Sequence, residues 1–121
     1  VHMRILSCAQ VTSARALGTW LSYDDLIQLT KRCIDTPVTG FAVVYGVSNN
    51  DRAAVDNSKA SFLGFRPKDN AEQFAEKILA ETDVLDSQDP GHMCHGGPFA
   101  KVDLGESGLA TMTIIDDKRV I

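Results

Sequence analysis

Arg15 is the single basic side chain of a polar loop, Ala9 to Gly18, that leads through the lone Trp20 into a helix start. A loop anchored at its exit by a helix, carrying one arginine and one tryptophan, is a candidate ligand-facing element. The alternative is a solvated loop charge beside a tryptophan that fills the core. His92, Cys94 and His95 offer metal-donor atoms. Donors crowded into so short a stretch cannot readily surround a tetrahedral ion, and Cys8 and Cys33 supply no second close pair. No metal site is expected there, and the stretch reads as a non-ligating edge segment. Tyr45 stands four residues before Asn49. A Tyr-x-x-x-Lys pair would lower the phenol's pKa for proton transfer, but asparagine has no charge to do so. Tyr45 also ends an apolar run rather than lying on a helix, so it is read as structural. The Gly-x-x-Gly at Gly105 and Gly108 is late and outside any strand-to-helix context, and no P-loop is present.

The elements that would position these residues follow from local signals. Met3 to Cys8 reads as a strand. Ser22 begins a capping box with Asp25, and Asp24 and Asp25 add negative charge at the positive end of the helix dipole. The helix runs from about Tyr23 to Asp35, with Tyr23, Leu26, Ile27, Thr30, Cys33 and Ile34 expected to face inward. It stops before Pro37, which disfavours the helical conformation in the preceding residue. Phe41 to Tyr45 is a compact β-forming run, expected to be a buried strand beside Met3–Cys8 in a parallel sheet. A short helix is expected over 56–63, ended by Gly64. Asn70 reads as an N-cap with Gln73 three residues on, before a helical stripe of Ala71, Phe74, Ala75, Ile78, Leu79 and Thr82. Asp83 to Gly91 is acidic and turn-forming. His92 to Phe99 reads as a short extended piece, Gly105 to Gly108 as a turn and Ala110 to Ile115 as a strand.

With 121 residues, the chain is one domain or part of one. A hydrophobic content of 44% and a charged content of 23% are ordinary for a soluble globular chain. The formal net charge of −4, without a Lys/Arg cluster, argues against nucleic acid as the main partner. No apolar run approaches the ~20 residues that span a bilayer, and the first residues do not resemble a signal peptide. The three cysteines, Cys8, Cys33 and Cys94, are widely spaced and form no disulfide framework, which fits a reducing, cytoplasmic setting.

Several strings, taken in order, resemble the C-terminal half of uronate dehydrogenase, an extended short-chain dehydrogenase/reductase of the NAD-dependent epimerase/dehydratase-like group. They are Arg4-Ile5-Leu6-Ser7-Cys8, Arg15 with Thr19-Trp20-Leu21-Ser22-Tyr23-Asp24-Asp25, and Val43-Val44-Tyr45-Gly46-Val47-Ser48. Asp56-Asn57, then Phe62-Leu63-Gly64-Phe65-Arg66-Pro67-Lys68-Asp69-Asn70-Ala71-Glu72, and Gly96-Gly97-Pro98-Phe99 complete the set. The resemblance covers about Met3 to Phe99. It implies an α/β fold, the C-terminal portion of a Rossmann-like architecture with few strands flanked by two amphipathic helices.

In such proteins an N-terminal half binds NAD and carries the catalytic Ser, Tyr and Lys, while the C-terminal half closes over the sugar acid. The anomeric carbon of glucuronate or galacturonate is oxidised, NAD takes the hydride, and an aldarolactone results. The resemblance places the substrate-gripping serine on Ser7 and the carboxylate-binding arginine on Arg15. It implies cleft covering by Phe99 and contact of Cys8 with the nicotinamide side. A guanidinium that grips a uronate carboxylate through two parallel hydrogen bonds agrees with this placement. No catalytic residue of the family falls within these residues, so the chain is expected to be a truncated or split member, inactive alone. Residues 1–100 would form the substrate-binding portion, and 101–121 have no counterpart in the resemblance. The expected partners are a uronate and either a separate Rossmann half or further copies of the chain. The other reading is a non-catalytic, self-associating interaction remnant.

Overall fold

The structure, a computed structural model, describes residues 1–103 and Gly105. It divides into two compact units, Val1–Thr82 and a second beginning at Asp83. The first unit holds a parallel two-stranded sheet, β1 (His2–Ile5) beside β2 (Val43–Gly46), with Met3 opposite Val44 and Arg4 opposite Tyr45. Between the strands run a single helical turn, α1 (Ala16–Thr19), and the longer α2 (Tyr23–Asp35). A 3₁₀ helix, Ser58–Leu63, and a 3₁₀ turn, Ala71–Phe74, that continues as α3 (Ala75–Glu81) complete the unit. The architecture is mixed helix and strand with a parallel sheet, the expected fold class.

Both strands depart from expectation in a physically instructive way. β1 ends at Ile5 rather than Cys8, because beyond it the chain turns away from β2 and the Ser7 carbonyl accepts from Leu21 N–H at 2.8 Å. β2 starts at Val43 instead of Phe41, and Phe41 is 85% exposed, leaning on His2 with ring centroids 5.1 Å apart. Every position of β1 is exposed, whereas Val44 and Gly46 of β2 are buried. Parallel sheets ordinarily have both faces covered; here the outer edge of β1 pairs with nothing among the described residues.

The α2 bounds agree with the sequence reading, and Ser22 Oγ accepts from Asp25 N–H at 3.1 Å. The buried face differs. Asp25 and Leu29 are buried, with Leu26 and Cys33 packed beside them, while Tyr23, Ile27 and Ile34 point outward. One core forms from Leu21, Leu29, Val44, Ala60, Leu63 and Phe65. Gly64 closes the 3₁₀ helix in the left-handed region at φ 80°, a conformation glycine adopts without a Cβ penalty. A second core, Val11, Leu17, Ala71, Ala75 and Ile78, binds the loop after β1 to α3. Asn70 caps this segment by accepting from Glu72 N–H at 3.0 Å, and Gln73 Nε2 donates back to the Asn70 carbonyl.

In the second unit the expected extended piece over 92–99 is instead helical: α4 spans Pro90–Met93 and a 3₁₀ helix spans Gly97–Lys101. Asp89 caps α4 by accepting from Gly91 N–H, and Pro90 fills the first helical position, where a missing N–H costs nothing. Lys101 Nζ then pairs with Asp89 at 2.6 Å, its stem lying against Gly91. The expected strand over 110–115 lies outside the described residues, as does most of the turn over 105–108.

Candidate functional site

Ser7 and the Arg15-to-Trp20 loop are brought together by backbone pairing. Ser7 forms an isolated parallel bridge with Trp20, and its carbonyl holds Leu21 N–H. Arg15 is the residue that opens α1, in helical conformation, and its carbonyl accepts from Gly18 N–H at 3.1 Å and from Thr19 Oγ1. Arg15 is half-buried, as are Ser7 and Cys8. The loop has no freedom to drift, because Leu17, Gly18 and Thr19 behind it are buried.

Gly18 is required there. A Cβ on it would lie 2.3 Å from the Arg52 carbonyl oxygen, and its own carbonyl accepts from Ala54 N–H at 3.1 Å. Trp20 makes an edge-on contact with Phe74, centroids 5.4 Å apart, and packs against the second core. It therefore fastens the loop chiefly to the segment leading into α3. This resolves the tryptophan half of the two readings in favour of a core role.

A buried polar cluster supports the loop from below. Asp25 accepts from Ser48 Oγ at 2.6 Å, from Lys68 N–H at 2.9 Å and from Asp69 N–H at 3.1 Å. Ser48 Oγ in turn accepts from Ser22 N–H at 2.9 Å, and Ser22 Oγ donates to Asp69. The Trp20 carbonyl accepts from both Ser48 N–H and Asn50 Nδ2, and Asn50 Oδ1 takes Ala71 N–H. The reciprocal arm of the capping box is thus replaced: Ser22 N–H goes to Ser48, and the Asp25 carboxylate goes to the loops. Sequence reading assigned Asp25 only a cap, and Ser48 and Asn50 no role. Their signal was two polar side chains, Ser48 and Asn50, immediately after an apolar strand.

Cys8 packs against the first core, and burial raises its thiol pKa. Its side chain is directed to protein, so any contact with a ligand would come from its backbone. Tyr45 lies in β2 and not on a helix, with the Arg4 guanidinium 5.6 Å over its ring, which suits a structural role. Phe99 is exposed in the 3₁₀ helix of the second unit. Among the described residues, no three His, Cys, Asp or Glu side chains are grouped to hold a metal ion. A dinucleotide is not fitted by the β1–α1 connection, which has no glycine between Ile5 and Ala16 to let backbone approach a pyrophosphate. No helix among the described residues is long and apolar enough to cross a membrane.

No protein-family model matches the chain. It is 43% identical over 94 residues to a uronate dehydrogenase of Pseudomonas putida, a span that is 78% of this chain and 35% of that protein. The structure of a glucuronic acid dehydrogenase from Chromohalobacter salexigens superimposes with a TM-score of 0.77 at 38% identity, over 84% of this chain and 39% of that one. A mutant of uronate dehydrogenase from Agrobacterium tumefaciens, solved with NAD, gives a TM-score of 0.78 at 39% identity, over 87% of this chain and 40% of that one. The chain therefore spans little more than a third of the relatives it matches.

Proposed function

This chain is homologous to uronate dehydrogenases over about 80% of its length, and on that premise we propose that it supplies the sugar-acid grip of an NAD-dependent uronate oxidoreductase. Arg15 holds the substrate carboxylate through two parallel hydrogen bonds, and the Ser7 hydroxyl donates to the same group or to a neighbouring hydroxyl. The observation that carries this reading is the bridge between Ser7 and Trp20, which fixes the serine beside a loop that the second core holds rigid. A grip of this kind needs positions held to a fraction of an ångström, and two packed cores below the loop provide that.

Hydride transfer requires residues outside this sequence. The NAD site and the proton-transfer groups belong to a second polypeptide segment, and the unpaired outer edge of β1 is where that segment adds its strand. Exposure of every β1 residue supports this docking, since an edge of a parallel sheet left in water is costly and invites pairing.

The test is turnover. The purified chain with NAD and glucuronate is expected to give no NADH absorbance, and addition of a glycine-rich NAD-binding half from a homologous enzyme is expected to restore it. NADH production by the chain alone would overturn the division of labour. Failure of the added half to bind the unaltered chain, or binding undiminished by Met3→Pro, whose lost N–H faces the open side because His2 N–H faces β2, would overturn the docking edge.

A further inference from the structure

Trp20 joins the two halves of the grip through its backbone. Its N–H donates to the Ala16 carbonyl at 3.1 Å, closing the turn that Arg15 opens. The next N–H, that of Leu21, donates to the Ser7 carbonyl at 2.8 Å. The Trp20 carbonyl and the Leu21 N–H belong to one planar peptide and point to opposite sides of it. Whatever holds that carbonyl therefore sets the plane, and with it the place of Ser7 relative to the Arg15 turn.

Two donors hold it, Ser48 N–H at 2.9 Å and Asn50 Nδ2 at 2.8 Å. The first is main chain, which nearly any residue at 48 supplies; the second is a choice of side chain. Asn50 is buried, and its Oδ1 accepts from Ala71 N–H at 2.9 Å. One end of this side chain must donate and the other accept, which a carboxamide does in a single orientation and a carboxylate cannot. Neighbouring contacts brace the loop: Asp51 and Asn70 exchange two hydrogen bonds, and Arg52 grips Glu72 with two more. Those pairs are open to solvent and contribute little, whereas an unmet polar group beside the buried carboxamide is costly.

We propose that Asn50 is a positioning residue of the uronate grip, its carboxamide fixing the Trp20–Leu21 peptide and through it Ser7 against the Arg15 turn. Its part in substrate binding rests on the assignment of Ser7 and Arg15 to the uronate; its hold on the peptide does not. Asn50→Asp separates the two ends of the side chain. It keeps an acceptor for Ala71 N–H and turns an oxygen toward the Trp20 carbonyl. Gln28→Ala is the control, since Gln28 makes two hydrogen bonds to the Arg66 backbone and none to the grip.

Amide hydrogen exchange of the full chain reads the tie without substrate or second half. In Asn50→Asp, Leu21 is expected to exchange about tenfold faster relative to Leu29 in the first core. Gln28→Ala should leave that ratio unchanged, because general loss of stability speeds both amides. Should the aspartate variant not fold, Asn50→Ala, which leaves the Trp20 carbonyl to Ser48 alone, takes its place with the same expectation. In the complex reconstituted with an NAD-binding half, Asn50→Asp should raise KM for glucuronate about tenfold with kcat nearly unchanged, whereas a merely destabilised chain lowers apparent kcat at constant KM. An unchanged Leu21 ratio would overturn the tie outright. A raised ratio with unchanged KM, where Arg15→Ala does raise KM, would overturn the positioning role and leave the grip standing. Unchanged KM in Arg15→Ala as well would remove the grip itself, and the positioning role with it.

Discussion

Asp25, in the first turn of α2, accepts a 2.6 Å hydrogen bond from the hydroxyl of Ser48, which lies 23 residues along the chain in the loop after β2. The carboxylate is only 2% exposed and takes two further backbone N–H groups, from Lys68 and Asp69. One side chain therefore joins the helix start, the exit of the sheet and the segment that leads to α3. Replacing it by alanine strands three donors at once. Asp25→Ala is expected to cost about 3 kcal/mol of stability, and Ser48→Ala, which also unpairs Ser22 N–H, about 2 kcal/mol. Urea unfolding followed by circular dichroism checks both, and a double variant whose loss falls clearly short of the sum confirms that they act on one network.

Gly18 meets the Arg52 carbonyl more closely than any Cβ tolerates. The obstacle is backbone, so it cannot swing aside. Gly18→Ala is expected to destabilise the first unit by about 2 kcal/mol and to shift the Arg15 loop. Gly40→Ala offers a control, because nothing lies near that glycine and only its φ of 56° resists the change; its cost should be about 1 kcal/mol.

Arg15→Ala is expected to raise KM for glucuronate in the complex reconstituted with an NAD-binding half, by about a hundredfold if a bidentate charged pair is lost. Arg15→Lys should recover part of the affinity, since it keeps the charge and loses the planar fork. Both variants should keep a single cooperative urea transition, so that the change in KM reports on binding. Unchanged KM in both would remove Arg15 from the substrate site.

In the second unit, the hydrogen bond from Lys101 holds the Asp89 carboxyl below its usual pKa, with the Gly91 N–H adding to the effect. A folded-state pKa lowered in this way contributes stability that is present above the unfolded value. That contribution is lost as pH falls through the folded value. The α4 segment is therefore expected to keep its helicity at neutral pH and to loosen only below the ordinary aspartate range. A carboxyl NMR titration should show the Asp89 midpoint move upward in Lys101→Ala.

Local chemistry along the chain made much of the first unit legible. The Ser22 cap, the stop before Pro37 and the glycine at the end of the 3₁₀ helix each depend on groups a few residues apart, and each appeared where expected. The helical turn at Pro90 is equally local, set by the Asp89 cap followed by proline at the first helical position, although the sequence reads as extended from 92.

The sequence by itself determined where α2 begins and ends and that the chain pairs two parallel strands. Tertiary structure alone decided which side of α2 is buried, since apolar residues occur around both sides and only the carboxylate clamp through Ser48, Lys68 and Asp69 chooses between them. It decided too that Trp20 fastens to Phe74 and that, among the described residues, β1 pairs on one side only. Caps and turns are written in neighbouring residues, whereas a buried face is a contest among distant ones, settled by which polar groups find partners away from water.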